Sequence, residues 1–388
     1  MVKKIVYHLK SCGIVGSETQ TIAPAFLIQA VFLYSIKKKI MNNAITGRDI
    51  RNQLKADLIG KDSYRGVTLT YTWLANQFGH ISLGFIPTFI LYIILSRYYN
   101  NACASFWAAV FISAAWFIFE TFNFLGPLLL SNPFKKNISI EPAQQYIFQP
   151  AWGNVAFDTI TDIGFFWFGA FFASSLCNYS FTSITILLIL AGLLIYPVYY
   201  WYPTKMYLQI PQYPFQFRLS QWEAEQIGED AIHNINRFLS NEHDGMHLFI
   251  FGSKNSGKTR ISVGIATELS IKHKPCYYIT AMKLFSMFFD TDERPSSLWN
   301  WRSSSVLVID DINAGHPIKQ DLISPEHFLK LIDTYSAQNE INRNAIKNTN
   351  TIWVLGSSDT GKDLYGKWHE MLENIGVNKK NILSVHLP

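Results

Sequence analysis

The chain has 388 residues, 49% of them hydrophobic and 15% aromatic, and a net charge of +5. Its four cysteines, Cys12, Cys103, Cys177 and Cys276, form no CxxC pair, which argues against a disulfide framework or a thiolate zinc site. Eleven Lys/Arg against four Asp/Glu precede Phe78, whereas from Thr204 onward there are nineteen against twenty. A near-neutral C-terminal half argues against a nucleic-acid surface there, and the basic N-terminal flank suits anionic lipid.

Residues 1–77 read as a basic cytoplasmic region. Within it, 22–36 is apolar, carries Pro24 and Gln29, and ends in Lys37-Lys38-Lys39. That length and composition predict an interfacial or re-entrant helix rather than a fifth span; a span here would move the N-terminus outside. No signal peptide is visible in the first residues.

Four apolar runs then fill 78–202: about Phe78 to Ser96, Ala102 to Phe122, Trp152 to Leu176 and Phe181 to Trp201. Each is near the roughly 20 residues that a spanning helix needs. Tyr98-Tyr99 and Tyr199-Tyr200-Trp201-Tyr202 suit interfacial belts. The basic N-terminal flank and Lys135-Lys136 lie on one side. The other side has only Arg97 and the uncharged turn Cys177-Asn178-Tyr179-Ser180. The positive-inside rule therefore predicts a multi-pass protein of the inner membrane with both termini cytoplasmic. His80, Glu120, Asp158 and Asp162 fall at or within these runs. Ionisable groups there are costly, which makes them site candidates. Asp158 and Asp162 share a helix face, and the expected topology places all four groups at the cytoplasmic end. A cation site, a proton relay, pairing with N-terminal Lys/Arg, or bonds to Asn123, Asn154 and water are all open readings. Phe119-Glu120, Phe157-Asp158-Thr159-x-x-Asp162 and Gly169-Ala170 resemble VanZ-like membrane proteins.

Pro203, Pro211 and Pro214 mark 203–218 as a linker, and helix formers follow from Gln221 to Leu239. The apolar run His247–Phe251 leads into Gly252-Ser253-Lys254-Asn255-Ser256-Gly257-Lys258-Thr259. This fits the P-loop pattern, in strand–loop–helix order. Its glycines free backbone amides for ATP phosphates, Lys258 would reach the β/γ-phosphates, and Thr259 would face Mg²⁺. Downstream, Ser305-Val306-Leu307-Val308-Ile309 ends in Asp310-Asp311. Asp310 would hold Mg²⁺, and Asp311 would orient the attacking water. A third apolar strand, Thr351–Leu355, leads to Gly356-Ser357-Ser358-Asp359. It is expected between the two motif strands, with Ser357 or Ser358 as γ-phosphate sensor or as an ordinary strand-end turn.

The parts FGSKNSGKT, CYYITAMKLF (Cys276 to Phe285) and VLVIDDINAG (Val306 to Gly315) resemble the AAA+ ATPases of the DnaC/IstB/DnaA helicase-loader group. The resemblance implies ATP-dependent conformational work, often as a homo-oligomer. It offers Arg343 as a candidate trans-acting finger, beside the plainer reading of a surface arginine. The expected fold is thus an α-helical membrane domain of four transmembrane helices (78–202), a linker (203–218), and a cytoplasmic α/β P-loop domain with a parallel sheet (219–388). The expected function is an ATPase, releasing ADP and phosphate, that drives a conformational or assembly change at the membrane. Its partners would be the bilayer, other copies of itself and a further protein. The rivals are a nucleotide-sensing effector or channel with little turnover, a membrane enzyme built on Glu120, Asp158 and Asp162, and a membrane-tethered DNA loader.

Overall fold

The computed structural model describes residues 45–59, 69–130, 147–222, 227–241, 244–289, 298–312, 324–332, 337–355 and 363–388. The expected interfacial helix at 22–36, Lys135-Lys136, Ser357 and Ser358 lie outside these residues. The chain divides into two units, Met1–Gly47 and Arg48–Pro388. The contacts described below all belong to the second.

Helix α1 (Gly47–Ile59) precedes four long apolar helices: α2 (Leu69–Leu95), α3 (Asn101–Leu130), α4 (Trp152–Cys177) and α5 (Phe181–Gln209). Their apolar stretches run 21 to 29 residues with mean hydropathy between 1.4 and 2.2. Helices α2 and α4 meet backbone to backbone. A Cβ on Gly84 would lie 2.0 Å from the Phe166 carbonyl oxygen, and one on Gly169 would lie 2.0 Å from that of Ile81. Small residues allow such close backbone approach between long apolar helices. Helix α3 closes against both. The Trp116 ring stacks on Phe166 at 4.0 Å, and Trp167 donates its indole N–H to the Ser113 carbonyl at 2.9 Å. Pro87 lies inside α2 and cannot donate to the Leu83 carbonyl four residues back. Trp116 supplies that donor instead, its indole N–H lying 2.9 Å from the Leu83 oxygen.

The reading of 203–218 as a linker is corrected at its start. Helix α5 runs through Pro203 to Gln209. The turn around the proline is held from within and from outside: Thr204 back-bonds to the Tyr200 carbonyl at 2.9 Å and meets His273 at 2.7 Å, and Tyr207 is fully buried. The helix formers from Gln221 onward also begin later than expected, since α6 spans Glu229–Ser240, after Gly228 in extended backbone.

Beyond it lie β1 (His247–Gly252), α7 (Lys258–Ile271), β2 (Cys276–Thr280), α8 (Ala281–Phe288), β3 (Val306–Ile312), α9 (Pro325–Ile332), α10 (Ala337–Asn348), β4 (Asn350–Leu355), α11 (Asp363–Asn374) and β5 (Ile382–Leu387). The strands form one parallel sheet in the order β2-β3-β4-β1-β5. Strand β4 stands between the two motif strands, as its sequence position led us to expect. Side chains alternate across the sheet. Leu248, Ile250, Val306, Val308, Ile352 and Val354 pack with α6 and α7 on one face. Phe249, Leu307, Ile309, Trp353 and Leu355 pack with α8, α9, α10 and α11 on the other. Covering both faces explains why these strands read as continuous apolar runs.

His247 opens β1 fully buried. Its Nδ1 accepts the Trp353 indole N–H at 3.1 Å, so that nitrogen carries no proton. Burial pulls its pKa down from 6.5 to about 4. Between those two pH values an unfolded histidine binds a proton that the folded one refuses. Stability is therefore full above about pH 6.5 and is lost as pH falls toward 4, by about 3 kcal/mol. Melting curves of the solubilised protein should show this acid slope in the wild type and a flatter one in His247→Gln. In the bundle, Gly84→Val forces α2 from α4, and we expect a loss of about 1–3 kcal/mol; a Tm equal to wild type would refute the backbone contact.

Candidate functional site

The site lies at the carboxyl ends of β1, β3 and β4, where open α/β sheets bind ligands. The connection from β1 leads toward the β2 edge and the one from β4 toward β5, so the chain parts at this crevice. Strand β5 accompanies β1 to the loop, pairing Leu387 with Gly252, and Ser253 donates to the Pro388 carbonyl at 2.8 Å.

The loop 252–259 turns through two left-handed residues, Asn255 (φ 68) and Gly257 (φ 88). Gly257 then starts α7, whose first-turn amides have no partner within the helix and, with the helix dipole, favour an anion. A Cβ on Gly257 would lie 2.5 Å from the Trp222 ring. Lys258 donates from Nζ to the carbonyls of Gly252 at 2.8 Å and Ser253 at 2.6 Å. Partial burial lowers its pKa, and the Asp310 charge acts the other way. Among the described residues, the buried Ser256 Oγ and Trp222 Nε1 have no hydrogen-bond partner. Buried polar atoms are rarely left so, and Ser256 lies in the loop where phosphate oxygens would supply the missing bond. The donor set fits a nucleotide phosphate.

Asp310 and Asp311 sit on a β-bulge, since the register between β3 and β4 shifts between Ile309 and Ile312. The bulge separates the two acids. Asp310 is 2% exposed, whereas Asp311 is exposed with φ 57. Asp310 Oδ2 accepts the Tyr278 hydroxyl at 2.6 Å, and Oδ1 accepts the Asp311 backbone N–H at 2.8 Å. Partial burial, then the Asp310 charge, push the Asp311 carboxyl above the ordinary range. A carboxylate within electrostatic range of Lys258, together with the Thr259 hydroxyl that follows it in the loop, offers the oxygen donors that suit Mg²⁺.

The expected linker is a strap along the P-loop helix. From the C-terminal end of α7 to its start, Thr204 meets His273 (2.7 Å), Tyr213 meets Ser270 (2.9 Å), and Arg218 pairs with Glu268 (2.6 and 3.2 Å). Leu219 and Phe217 close on Gly264, and Trp222 closes on Gly257. Thr204 spends its only proton on the Tyr200 carbonyl, so His273 Nε2 carries the hydrogen that joins them. His273 is itself left-handed (φ 60). Its ring stacks on Tyr207 at 5.0 Å, and Tyr207 stacks on Trp299 at 5.2 Å.

Of the membrane candidates, His80 and Asp162 are joined, Nδ1 to Oδ1, at 3.3 Å across α2 and α4. Asp162 feels the charges of Asp158 and Glu120. Glu120 bonds Asn123, and Asp158 is within electrostatic range of Lys205 and Arg218. Gln77, one turn before His80, is buried too. Among the described residues no three His, Cys, Asp or Glu converge to hold a metal ion. Arg343 donates to the Asn374 carbonyl at 3.0 Å, at the end of α11 in its own domain.

Sequence reasoning missed Tyr278, Trp222 and the strap. Tyr278 had one signal, a hydroxyl in an apolar strand two residues before Thr280. Finding its partner required the pairing of β2 with β3.

No family model matches the chain, and no curated protein matches it. Seven chains of solved structures do. One is that of DnaI, 18% identical, covering 45% of this chain and 88% of that one with a TM-score of 0.30. Another is that of the DnaC helicase loader, 20% identical, covering 43% and 96% with a TM-score of 0.31. The C-terminal part is similar to these helicase loaders.

Gly257→Ala forces a side chain into a left-handed position at about 1–2 kcal/mol and into the Trp222 ring. We expect weaker binding of a fluorescent ATP analogue, partly restored in Gly257→Ala/Trp222→Leu. No restoration would show that the ring is not the obstacle.

Proposed function

We propose that this protein is a membrane-anchored ATP-binding protein that couples ATP binding and hydrolysis to a conformational or assembly change at the inner membrane. The carrying observation is the strap, because it ties the phosphate-facing start of α7 and its far end to the same membrane helix. In this reading α5 acts as the rod. Its 29 residues span about 43 Å, longer than the roughly 30 Å hydrocarbon core, so its last turns stand clear of the bilayer at the strap. The ATPase domain and both termini are then cytoplasmic, and the polar tier of His80, Glu120, Asp158 and Asp162 lies at the same end.

Each residue has a task. The α7 amides and Ser256 receive phosphate oxygens, and Lys258 trades its two carbonyl bonds for the β/γ-phosphates. Mg²⁺, when bound by Thr259 and Asp310, would neutralise phosphate charge. Asp311, exposed beside it, orients the attacking water. A phosphate that draws the loop inward presses Gly257 on Trp222 and moves the strap, which moves α5. Work of this kind proceeds through shape change and self-association, here with a protein partner at the bilayer.

The test uses the full chain in lipid nanodiscs. We expect Lys258→Ala to weaken ATP binding about tenfold to a hundredfold. Asp311→Asn should keep binding and lose phosphate release. Wild type that binds ATP without releasing phosphate would shift the reading to a nucleotide-sensing effector, and wild type that binds none would end both.

A further inference from the structure

We infer that Tyr278 is a positioning residue for Asp310: its hydroxyl sets the orientation in which that carboxylate holds the metal, and the strap from α5 fixes Tyr278 in turn. The inference rests on the reading of Asp310 as the metal-holding acid.

The geometry begins with register. Thr280 on β2 pairs with Asp310 on β3. Tyr278, two residues earlier, therefore shares a sheet face with Asp310. A diagonal neighbour at this spacing is within reach of a long aromatic side chain. The reach is realised as the 2.6 Å hydrogen bond from Tyr278 Oη to Asp310 Oδ2. With Oδ1 held by the Asp311 amide at 2.8 Å, both carboxylate oxygens are tethered and the group cannot rotate freely. Each oxygen retains acceptor capacity, so a metal or a metal-bound water must approach along the directions these two donors leave.

The strap holds Tyr278 from behind. Strand β2 is the sheet edge, and the outward backbone N–H of Tyr278 goes to the Pro211 carbonyl at 3.3 Å. The Tyr213 ring meets the Tyr278 ring edge-on at 6.4 Å, and the Tyr213 hydroxyl is tied to Ser270 of α7 at 2.9 Å. A shift of α5 thus reaches Asp310 through Pro211, Tyr213 and Tyr278, by a route separate from the P-loop.

The experiment measures binding of a fluorescent ATP analogue to the full-length detergent-solubilised protein as Mg²⁺ is titrated. We expect Tyr278→Phe to bind the analogue without Mg²⁺ as wild type does, but to need about tenfold more Mg²⁺ for the same gain in affinity. Asp310→Asn should lose the Mg²⁺ gain, and Tyr278→Phe should add nothing in that background. Tyr213→Ala, which leaves every group at the metal site in place, should raise the Mg²⁺ requirement in the same direction. Coincident titrations of wild type and Tyr278→Phe, or losses that add with Asp310→Asn, overturn the positioning role. An unchanged requirement in Tyr213→Ala overturns the strap's part. These outcomes leave nucleotide binding standing; a wild type that binds no analogue removes the nucleotide site and this inference together.

Discussion

Helix α7 has to do two things that conflict. Its first turn must leave amides unpaired for an anion, which costs the helix its own end bonds. Its flanks must be buried to be stable at all, since short helices depend on tertiary packing. The strap from Thr204 to Trp222 resolves the conflict by covering the flanks and both ends, with Trp222 against Gly257, while the first-turn amides keep no partner within the helix. Gly264 and Gly257 are where this covering comes closest, and a side chain at either would meet Leu219 or the Trp222 ring. Because the strap continues helix α5, the stability of the nucleotide site and its connection to the apolar bundle are one structural fact.

The bundle of long apolar helices satisfies its own backbone. A carbonyl left free by a proline needs another donor, and Trp116 supplies one to the Leu83 carbonyl that Pro87 leaves free. Gly84 and Gly169 bring α2 and α4 close enough for packing without side chains between them. The polar residues gather at one end, where His80 meets Asp162 and where Lys205 and Arg218 come within range of Asp158. Arg218 also pairs with Glu268 on α7, so one side chain serves the strap and lies near the membrane carboxylates.

Much was legible in the residues because phosphate chemistry is local. A loop that turns amides toward one anion needs Gly252, Gly257, Lys258 and Thr259 within eight residues, and a strand must deliver an acid opposite. The apolar runs of β1, β3 and β4 follow from burial on both faces. The bulge at Asp310-Asp311 was not legible, because it depends on the register with β4. Tyr278 was not, because its partner lies on another strand. The linker was misread because three prolines ordinarily break helices, whereas α5 continues through Pro203 to a turn where Thr204 and Tyr207 meet His273, some seventy residues away.

The sequence by itself determined the loop motif, the adjacent carboxylates and four long apolar helices. Those depend on residue type and short spacing, which a chain carries openly. The tertiary structure alone decided which acid is buried, which hydroxyl orients it, and that the supposed linker grips the P-loop helix end to end. Each of these is a contact between segments remote in sequence, and its free energy depends on register, helix length and close approach of backbones, none of which is written in any local pattern.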